Sequence, residues 1–334
     1  MNKQLINAIQ PALAFNESRG DYKAWKRELK QTLAGLLGLE SIRARAGDLN
    51  IKIEQECDFE TYRRIRFTFE SEAGNLVPCY LLIPKTAGKK PLAVCLQGHT
   101  KGFHISIGVQ KFPGEEKNIQ TRDFGLQAVL NGFAALCIEQ RGMGETRAEQ
   151  DLKEGGCIHS ALAALLTGRT LIGERVFDIS RAIDCMAHFD EIGADGIVCV
   201  GNSGGGTAAF YAGCCDERIQ ICAPSCAFSS YRDSIGSIRH CSCNYIPRAL
   251  EFFDMGDLSA LIAPRVFLPF AGELDDIFPL EGVKKQFEIT KKIYAGENVA
   301  GRCALTVYKG EGHTFRADRV WPLINRHYKE GLKK

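Results

Sequence analysis

The sequence has 334 residues, 45% hydrophobic and 25% charged, proportions that exclude a disordered or fibrous chain. Lysine and arginine number 42 and aspartate and glutamate 40, so the formal net charge of +2 gives no reason to expect nucleic acid or an anionic membrane as partner. No apolar stretch reaches the roughly 18 residues that span a membrane, and the first residues lack the apolar run of a secretory signal. We therefore expect a cytoplasmic protein whose 14 cysteines are reduced.

Residues 1–90 are predicted to form a helical and antiparallel β extension. Apolar residues recur at helical spacing from Trp25 to Leu37, which indicates an amphipathic helix. Between residues 50 and 84, strand-like runs are separated by turn-forming residues such as those at 73–75, which indicates antiparallel strands.

Residues 91–334 alternate between short apolar runs and helical patterns. The apolar runs lie at 92–96, 133–138, 197–200, 219–223, 265–270 and 303–308, and the clearest helix lies at 172–189. Such alternation predicts an α/β fold with a mostly parallel sheet flanked by helices, and no linker divides residues 1–334 into separate domains. Residues 225–262 interrupt the pattern, which predicts a lid-like insertion or a pocket wall.

The strongest motif is G-x-S-x-G at residues 201–205, between an apolar run and a helical run. A strand, this motif and a helix form a nucleophile elbow, which exposes the Ser203 hydroxyl on a sharp turn. Gly201 and Gly205 suit that turn because a Cβ at either position would collide with the neighbouring strand or helix. The alternative is a glycine-rich turn in which the serine is incidental.

A serine nucleophile needs a base, and three histidines follow it in the chain: His240, His313 and His327. We predict His313 as the base because its loop directly follows the apolar run 303–308, at the end of a strand where such sheets place their catalytic groups. The alternative is a loop histidine that only caps the last helix.

The acid that orients the histidine is expected in the loop after the run 265–270. Asp275 has the usual spacing from the glycine at the start of that loop, and Asp276 and Glu273 are the alternatives. The predicted oxyanion hole consists of two backbone N–H groups, one from Gly204 and one from His99 in the loop after residues 92–96. The ring of His99 could have a role of its own, or the residue could contribute only its backbone N–H; both alternatives are left open.

From about residue 90 to the end, the chain resembles the α/β-hydrolase superfamily. The resemblance lies in the elbow, the acid loop and the histidine loop, which follow one another in the order found in that superfamily. The turn at residues 139–144, Glu-Gln-Arg-Gly-Met-Gly, also looks like one that is common in these enzymes. Within the superfamily the chain resembles the bacterial acetyl xylan esterase and dienelactone hydrolase-like group, although Gly204 stands where acetyl xylan esterases usually carry glutamine. The resemblance implies the α/β-hydrolase fold and a serine esterase.

The predicted function is hydrolysis of a small-molecule ester through an acyl-enzyme, with Ser203, His313 and Asp275 as a triad and with no metal or organic cofactor. Two alternatives are a serine peptidase of the same fold and a non-catalytic binding protein. Whether the chain forms a homo-oligomer is left open. The aromatic residues of the insertion could form the substrate pocket or could simply pack the lid; they are Phe228, Tyr231, Tyr245, Phe252 and Phe253.

The insertion also holds a run of soft metal ligands, His240-Cys241-Ser242-Cys243. A zinc site needs four ligands and is usually marked by a paired C-x₂-C spacing, and the run has neither. The sequence therefore favours a packed or pocket-lining cluster over a metal site.

Overall fold

In a computed structural model, which describes residues 2–18, 20–154, 156–193 and 195–331, the chain folds around one sheet with helices on both faces. The strands are β1 Lys52–Asp58, β2 Tyr62–Glu72, β3 Asn75–Pro84, β4 Leu92–Leu96, β5 Ala134–Ile138, β6 Ile197–Asn202, β7 Ile219–Ser225, β8 Val266–Phe267, β9 Phe270–Gly272 and β10 Thr306–Tyr308. The helices are α1 Asn2–Ala8, α2 Tyr22–Leu37, α3 Leu39–Arg43, α4 Glu116–Arg122, α5 Phe124–Leu130, α6 Glu149–Glu154, α7 Ile158–Leu166, α8 Leu171–Cys185, α9 Gly204–Cys215, α10 Ala249–Phe252, α11 Met255–Leu258, α12 Leu280–Gly296 and α13 Ala317–Gly331.

The strand order across the sheet is β1-β2-β3-β5-β4-β6-β7-β9-β10, and β8 pairs with β7. The pairs β1–β2, β2–β3 and β3–β5 are antiparallel, whereas every other pair is parallel. The predicted mostly parallel sheet is therefore confirmed. The predicted antiparallel extension is the edge of this same sheet, because β3 pairs directly with β5.

Helices cover both faces of the central strands, which explains why those strands are apolar without alternation. Every residue of β4, β5 and β6 is buried. On one face the core includes residues of α2, α8 and α9, and on the other it includes residues of α5 and α13. Among the described residues, no helix combines the length and apolar character that crossing a membrane requires.

Several predicted boundaries differ from the structure by one or two residues, and three elements differ more. The helix predicted at 172–189 ends as an α-helix at Cys185 and continues as a 3₁₀ turn over Met186–His188. The strand predicted at 265–270 is divided into β8 and β9 around Pro269, which has no N–H to donate to a sheet. The strand predicted at 303–308 is shorter and comprises only Thr306–Tyr308.

A buried ion-pair network ties the antiparallel strands to the core. The Arg141 guanidinium lies 2.6 Å from a carboxylate oxygen of Glu72 at the end of β2 and 2.7 Å from one of Asp178 on α8. Arg169 also reaches Glu72, at 3.0 Å. Since both carboxylates are almost fully buried, removing one partner would leave an uncompensated charge inside the protein.

Residues 225–262 form short helices and turns whose aromatic residues largely join the core. Phe228, Tyr231 and Phe253 are buried in the core cluster that also contains α8 and α9, whereas Tyr245 is exposed. Of the two interpretations of these aromatic residues, packing is therefore the one that the structure supports.

Candidate active site

Ser203 lies between the end of β6 and the start of α9, in a backbone conformation that side-chain-bearing residues rarely adopt. Its φ is 55° and its ψ is −124°. A Cβ on Gly201 would lie 2.5 Å from the backbone carbonyl carbon of Gly205, and a Cβ on Gly205 would overlap the carbonyl oxygens of Leu96 and Gln97. The two glycines therefore stand where only glycine fits, which is the geometry of a nucleophile elbow.

Asp275 and His313 are brought together by the loops that follow β9 and β10. The Asp275 Oδ2 atom lies 2.9 Å from His313 Nδ1, and Oδ1 accepts hydrogen bonds from the backbone N–H groups of Ile277 and Phe278 at 2.9 and 3.0 Å. Burial raises the pKa of Asp275, but the hydrogen bonds and the His313 ring outweigh it, so that the pKa lies below its ordinary value. The carboxylate is thus held ionised and orients the imidazole.

The alternative acids in the same loop do not occupy this position. Glu273 and Asp276 are exposed, and Glu273 accepts a hydrogen bond from the Gly310 backbone N–H at 2.7 Å. Asp275 is the buried carboxylate of the three and the one bonded to His313.

A cavity of about 260 Å³ opens over the elbow, a volume near the lower end for small-molecule sites. Ser203 and His313 both line it, which places the predicted nucleophile and the predicted base at one site. The remaining lining residues come from the loop after β4, the α4–α5 junction, the end of β6, the insertion and the loop after β9: Gly98, His99, Arg122, Phe124, Asn202, Arg239, His240, Cys241, Asn244, Ile277 and Phe278.

The loop that carries His99 lies directly against the elbow. A Cβ on Gly98 would lie 2.9 Å from the Asn202 carbonyl oxygen and 3.3 Å from Ser203 Cβ. Gly204 opens α9, so that its N–H is one of the first-turn amides that have no acceptor within the helix. Both predicted oxyanion donors therefore belong to residues that flank Ser203, and their role stays a prediction.

Gly204 is also required by packing. A Cβ at this position would lie 2.6 Å from both Nδ1 and Cε1 of the His99 ring. The departure from the glutamine that acetyl xylan esterases usually carry therefore has a structural reason, because the His99 ring occupies that space.

A buried glutamate braces the same loop. Glu139 Oε1 accepts a hydrogen bond from Gln97 Nε2 at 2.7 Å, and Oε2 accepts from the backbone N–H groups of Phe103 and Glu145, both at 3.2 Å. Burial raises the pKa of Glu139 to about 7. In the sequence this residue stands out only as the first member of the turn at 139–144.

The cavity carries positive charge that sequence analysis missed. Arg122 is half-buried and Arg239 is exposed, and neither guanidinium forms a hydrogen bond or an ion pair within the described chain. Burial lowers the pKa of Arg122. His240 also faces the cavity, and its ring packs edge-on against Phe278 at 5.0 Å.

Next to the cavity, the structure assembles four potential metal ligands. The ring of His99 and the thiols of Cys157, Cys241 and Cys243 place one ligand atom each within 4.8 Å of all the others. The run at residues 240–243 contains only two of these four ligands. The other two, Cys157 and His99, come from distant parts of the chain. His240 is not a member of this group.

The fold and this site can be compared with known proteins. The sequence profile of an Abhydrolase family matches residues 1–301. "Putative hydrolase YtaP" from Bacillus subtilis (strain 168) is 29% identical over 240 residues, which are 71% of this chain and 77% of that protein.

Two solved structures show the same fold at low sequence identity. One is described as a "putative acetyl xylan esterase" from Bacteroides fragilis, with a TM-score of 0.80, 16% identity, and coverage of 97% of this chain and 93% of that one. The other is a glucuronoyl esterase from Solibacter usitatus, with a TM-score of 0.68, 16% identity, and coverage of 96% and 97%. The α/β-hydrolase fold predicted from the sequence is confirmed.

Proposed function

We propose that this chain, which belongs to the Abhydrolase family, is a serine hydrolase that cleaves a small carboxylic ester through an acyl-enzyme. The observation that carries the proposal is the site itself: a serine on a strained elbow shares one cavity with a histidine whose other face is held by a buried carboxylate. The names of similar proteins support an ester over other substrates: a "putative hydrolase", a "putative acetyl xylan esterase" and a glucuronoyl esterase.

In the proposed mechanism, Ser203 Oγ attacks the ester carbonyl carbon while His313 Nε2 accepts the hydroxyl proton. Asp275 keeps Nδ1 protonated and stabilises the imidazolium that forms. In this structure the hydroxyl makes no hydrogen bond to the ring, a contact that is often loose before substrate binds.

The negative charge that develops on the carbonyl oxygen would be stabilised by the backbone N–H groups of Gly204 and His99. The tetrahedral intermediate then expels the alcohol, which takes the proton from His313. Water, deprotonated by His313, attacks the acyl-enzyme and releases the carboxylic acid and free Ser203.

The two cavity arginines lead us to propose that the preferred ester carries an anionic group. Neither Arg122 nor Arg239 has an acidic partner within the described chain, although both lie at the cavity where substrate would bind. A half-buried guanidinium without a counter-charge is poorly solvated, and a substrate carboxylate would supply the missing partner.

We also propose a cytoplasmic location. All fourteen cysteines are free in the structure, including Cys214 and Cys215, which are adjacent in the chain. Many unpaired thiols are typical of proteins from a reducing compartment.

The test of the proposed function is intact mass after treatment with a fluorophosphonate, alongside hydrolysis of p-nitrophenyl acetate. We expect one adduct, mapped to Ser203, and turnover in the wild type, both of which Ser203→Ala abolishes. Ser237→Ala is the matched control because Ser237 is exposed and does not line the cavity. A folded wild-type protein that forms no adduct would contradict the proposal and favour a binding protein; faster cleavage of peptides than of esters would favour the peptidase.

A further inference from the structure

We infer that His99, Cys157, Cys241 and Cys243 form a structural zinc site beside the active-site cavity. The four ligand atoms come from three separate segments: the loop after β4, the residue before α7, and the insertion. Three thiolates and one imidazole are a donor set that tetrahedral zinc prefers.

The four ligand atoms lie close enough together to bind one ion. The His99 Nε2 atom lies 3.2 Å from Cys243 Sγ, the Cys157 and Cys241 Sγ atoms are 2.7 Å apart, and all four ligand atoms lie within 4.8 Å of one another. Zinc–sulfur bonds of about 2.3 Å and zinc–nitrogen bonds of about 2.0 Å place tetrahedral ligands roughly 3.5 to 3.8 Å apart. To accommodate the ion, the Cys157 and Cys241 Sγ atoms would move apart by about 1 Å, and His99 Nε2 and Cys243 Sγ by about 0.3 Å. A Cys157–Cys241 disulfide, with a bond length of about 2.05 Å, is the competing arrangement. A disulfide would not explain why His99 and Cys243 converge on the same point, and this convergence of four ligand atoms favours a metal ion.

The surroundings also suit a structural site. Cys157 and Cys243 are buried in a small apolar cluster with Ala161 and Leu171, which keeps the thiolates away from solvent. Cys241 is half-buried and His99 is exposed, and both line the active-site cavity, which provides an entry path for the ion.

A second observation comes from a buried charge. Arg175 on α8 is only 1% exposed, and its Nη1 and Nη2 atoms have no hydrogen-bond partner in the described chain. Its helix, α8, packs against the 3₁₀ turn Ser242–Asn244, which contains Cys243. A zinc ion with three thiolates and a neutral imidazole carries a net charge of −1, which the positive charge of Arg175 would balance. Neutral thiols would leave that buried charge uncompensated.

Four protein ligands leave no open coordination position, so the ion would not activate water and its role would be structural. Its effect on the hydrolase would be indirect. The ion would fix the His99 ring, whose position over Gly204 sets the loop that carries the predicted oxyanion donor. In this role the His99 ring would act as a positioning group, in addition to the predicted role of its backbone N–H as a donor.

The first experiment measures metal content by mass spectrometry after loosely bound ions have been removed on a chelating resin. We expect about one zinc ion per chain in the wild type, and loss of at least about nine-tenths of it in Cys157→Ser and in Cys243→Ser. Cys303→Ser is the matched control, since Cys303 is half-buried and lies outside the cluster. Ser203→Ala should keep its zinc, which separates this inference from the proposed function.

A second measurement does not depend on the folding of a variant. Wild-type apoprotein loaded with cobalt(II) alone should show thiolate-to-cobalt charge transfer and the visible ligand-field bands of a tetrahedral site. Wild-type protein that takes up neither zinc nor cobalt, with all four ligands free, would overturn the inference. So would a Cys157–Cys241 disulfide found by peptide mapping under non-reducing conditions.

Discussion

The carboxylate of Asp275 fixes the imidazole of His313 through a hydrogen bond of 2.9 Å between Oδ2 and Nδ1. Asp275→Asn would replace an acceptor with an amide and favour the wrong tautomer, so we expect kcat to fall by about 10⁴-fold, the loss found in other serine triads. The hydrolysis rate of p-nitrophenyl acetate checks this, with unchanged circular dichroism as evidence of folding. The exposed neighbour Asp276→Asn should retain most of the activity; equal losses in both variants would argue against Asp275 as the orienting acid.

The elbow glycines lead to a prediction about stability. A Cβ at Gly205 would meet the backbone of Leu96 and Gln97, which cannot move aside as a side chain can. We expect Gly205→Ala to lower the free energy of unfolding by 3 kcal/mol or more, about the upper range for overpacking. In contrast, Gly35→Ala in α2 meets nothing within 4 Å and should raise stability by roughly 0.5–1 kcal/mol. Urea unfolding of both variants provides the comparison.

Glu139 predicts a dependence of stability on pH. Its pKa of about 7 in the folded protein exceeds the ordinary value of 4.5, so between these values the folded state holds a proton that the unfolded state has lost. Stability should therefore fall as pH rises through this window, by roughly 3 kcal/mol in total.

The test of this dependence is urea unfolding of wild type and Glu139→Gln between pH 5 and 8. The variant has no carboxyl group to titrate at this position, so we expect its free energy of unfolding to fall less with rising pH. The amide could change the free energy of unfolding by a constant amount, which does not affect this slope. Glu116→Gln, at an exposed position, should follow the wild type. If the free energy of unfolding changed with pH in the same way for wild type and Glu139→Gln, the pKa of Glu139 would not be raised in the folded protein.

Arg122 predicts a preference for anionic esters. For an ester that carries a carboxylate, Arg122→Gln should raise KM roughly tenfold, equivalent to about 1.4 kcal/mol, because the variant removes a charge-assisted partner. The KM for uncharged p-nitrophenyl acetate should change little. Arg319→Gln, outside the cavity, is the matched control. The same KM change for both esters would mean that Arg122 shapes the cavity and does not bind an anion.

Local sequence carries the prediction for the parts of the candidate site that lie on short, ordered motifs. The elbow, the Asp275 loop and the His313 loop each follow a strand directly, and parallel strands bring their carboxyl ends to one edge. The preference for Asp275 over Glu273 and Asp276 rests only on the spacing from Gly272, and in the structure Asp275 is the one of the three bonded to His313.

Features that depend on distant contacts could not be predicted in this way. The cysteine and histidine cluster joins three segments, so no spacing within residues 240–243 could reveal it. Likewise, the aromatic residues of the insertion have the composition of a ligand pocket, yet Phe228 and Phe253 are buried in the main core cluster, where Phe228 packs against Phe210 of α9. Burial depends on the tertiary structure and cannot be predicted from residue type alone.

The left-handed backbone of Ser203 means that activity and stability compete at a single position. Glycine would adopt a φ of 55° without steric cost, so Ser203→Gly should be more stable than Ser203→Ala by about 1 kcal/mol, although both lack the nucleophile. Thermal unfolding of the two variants would measure this difference directly. Under selection for stability alone, this site would drift away from serine. A serine on such an unfavourable backbone is therefore expected where selection acts on the chemistry of the site.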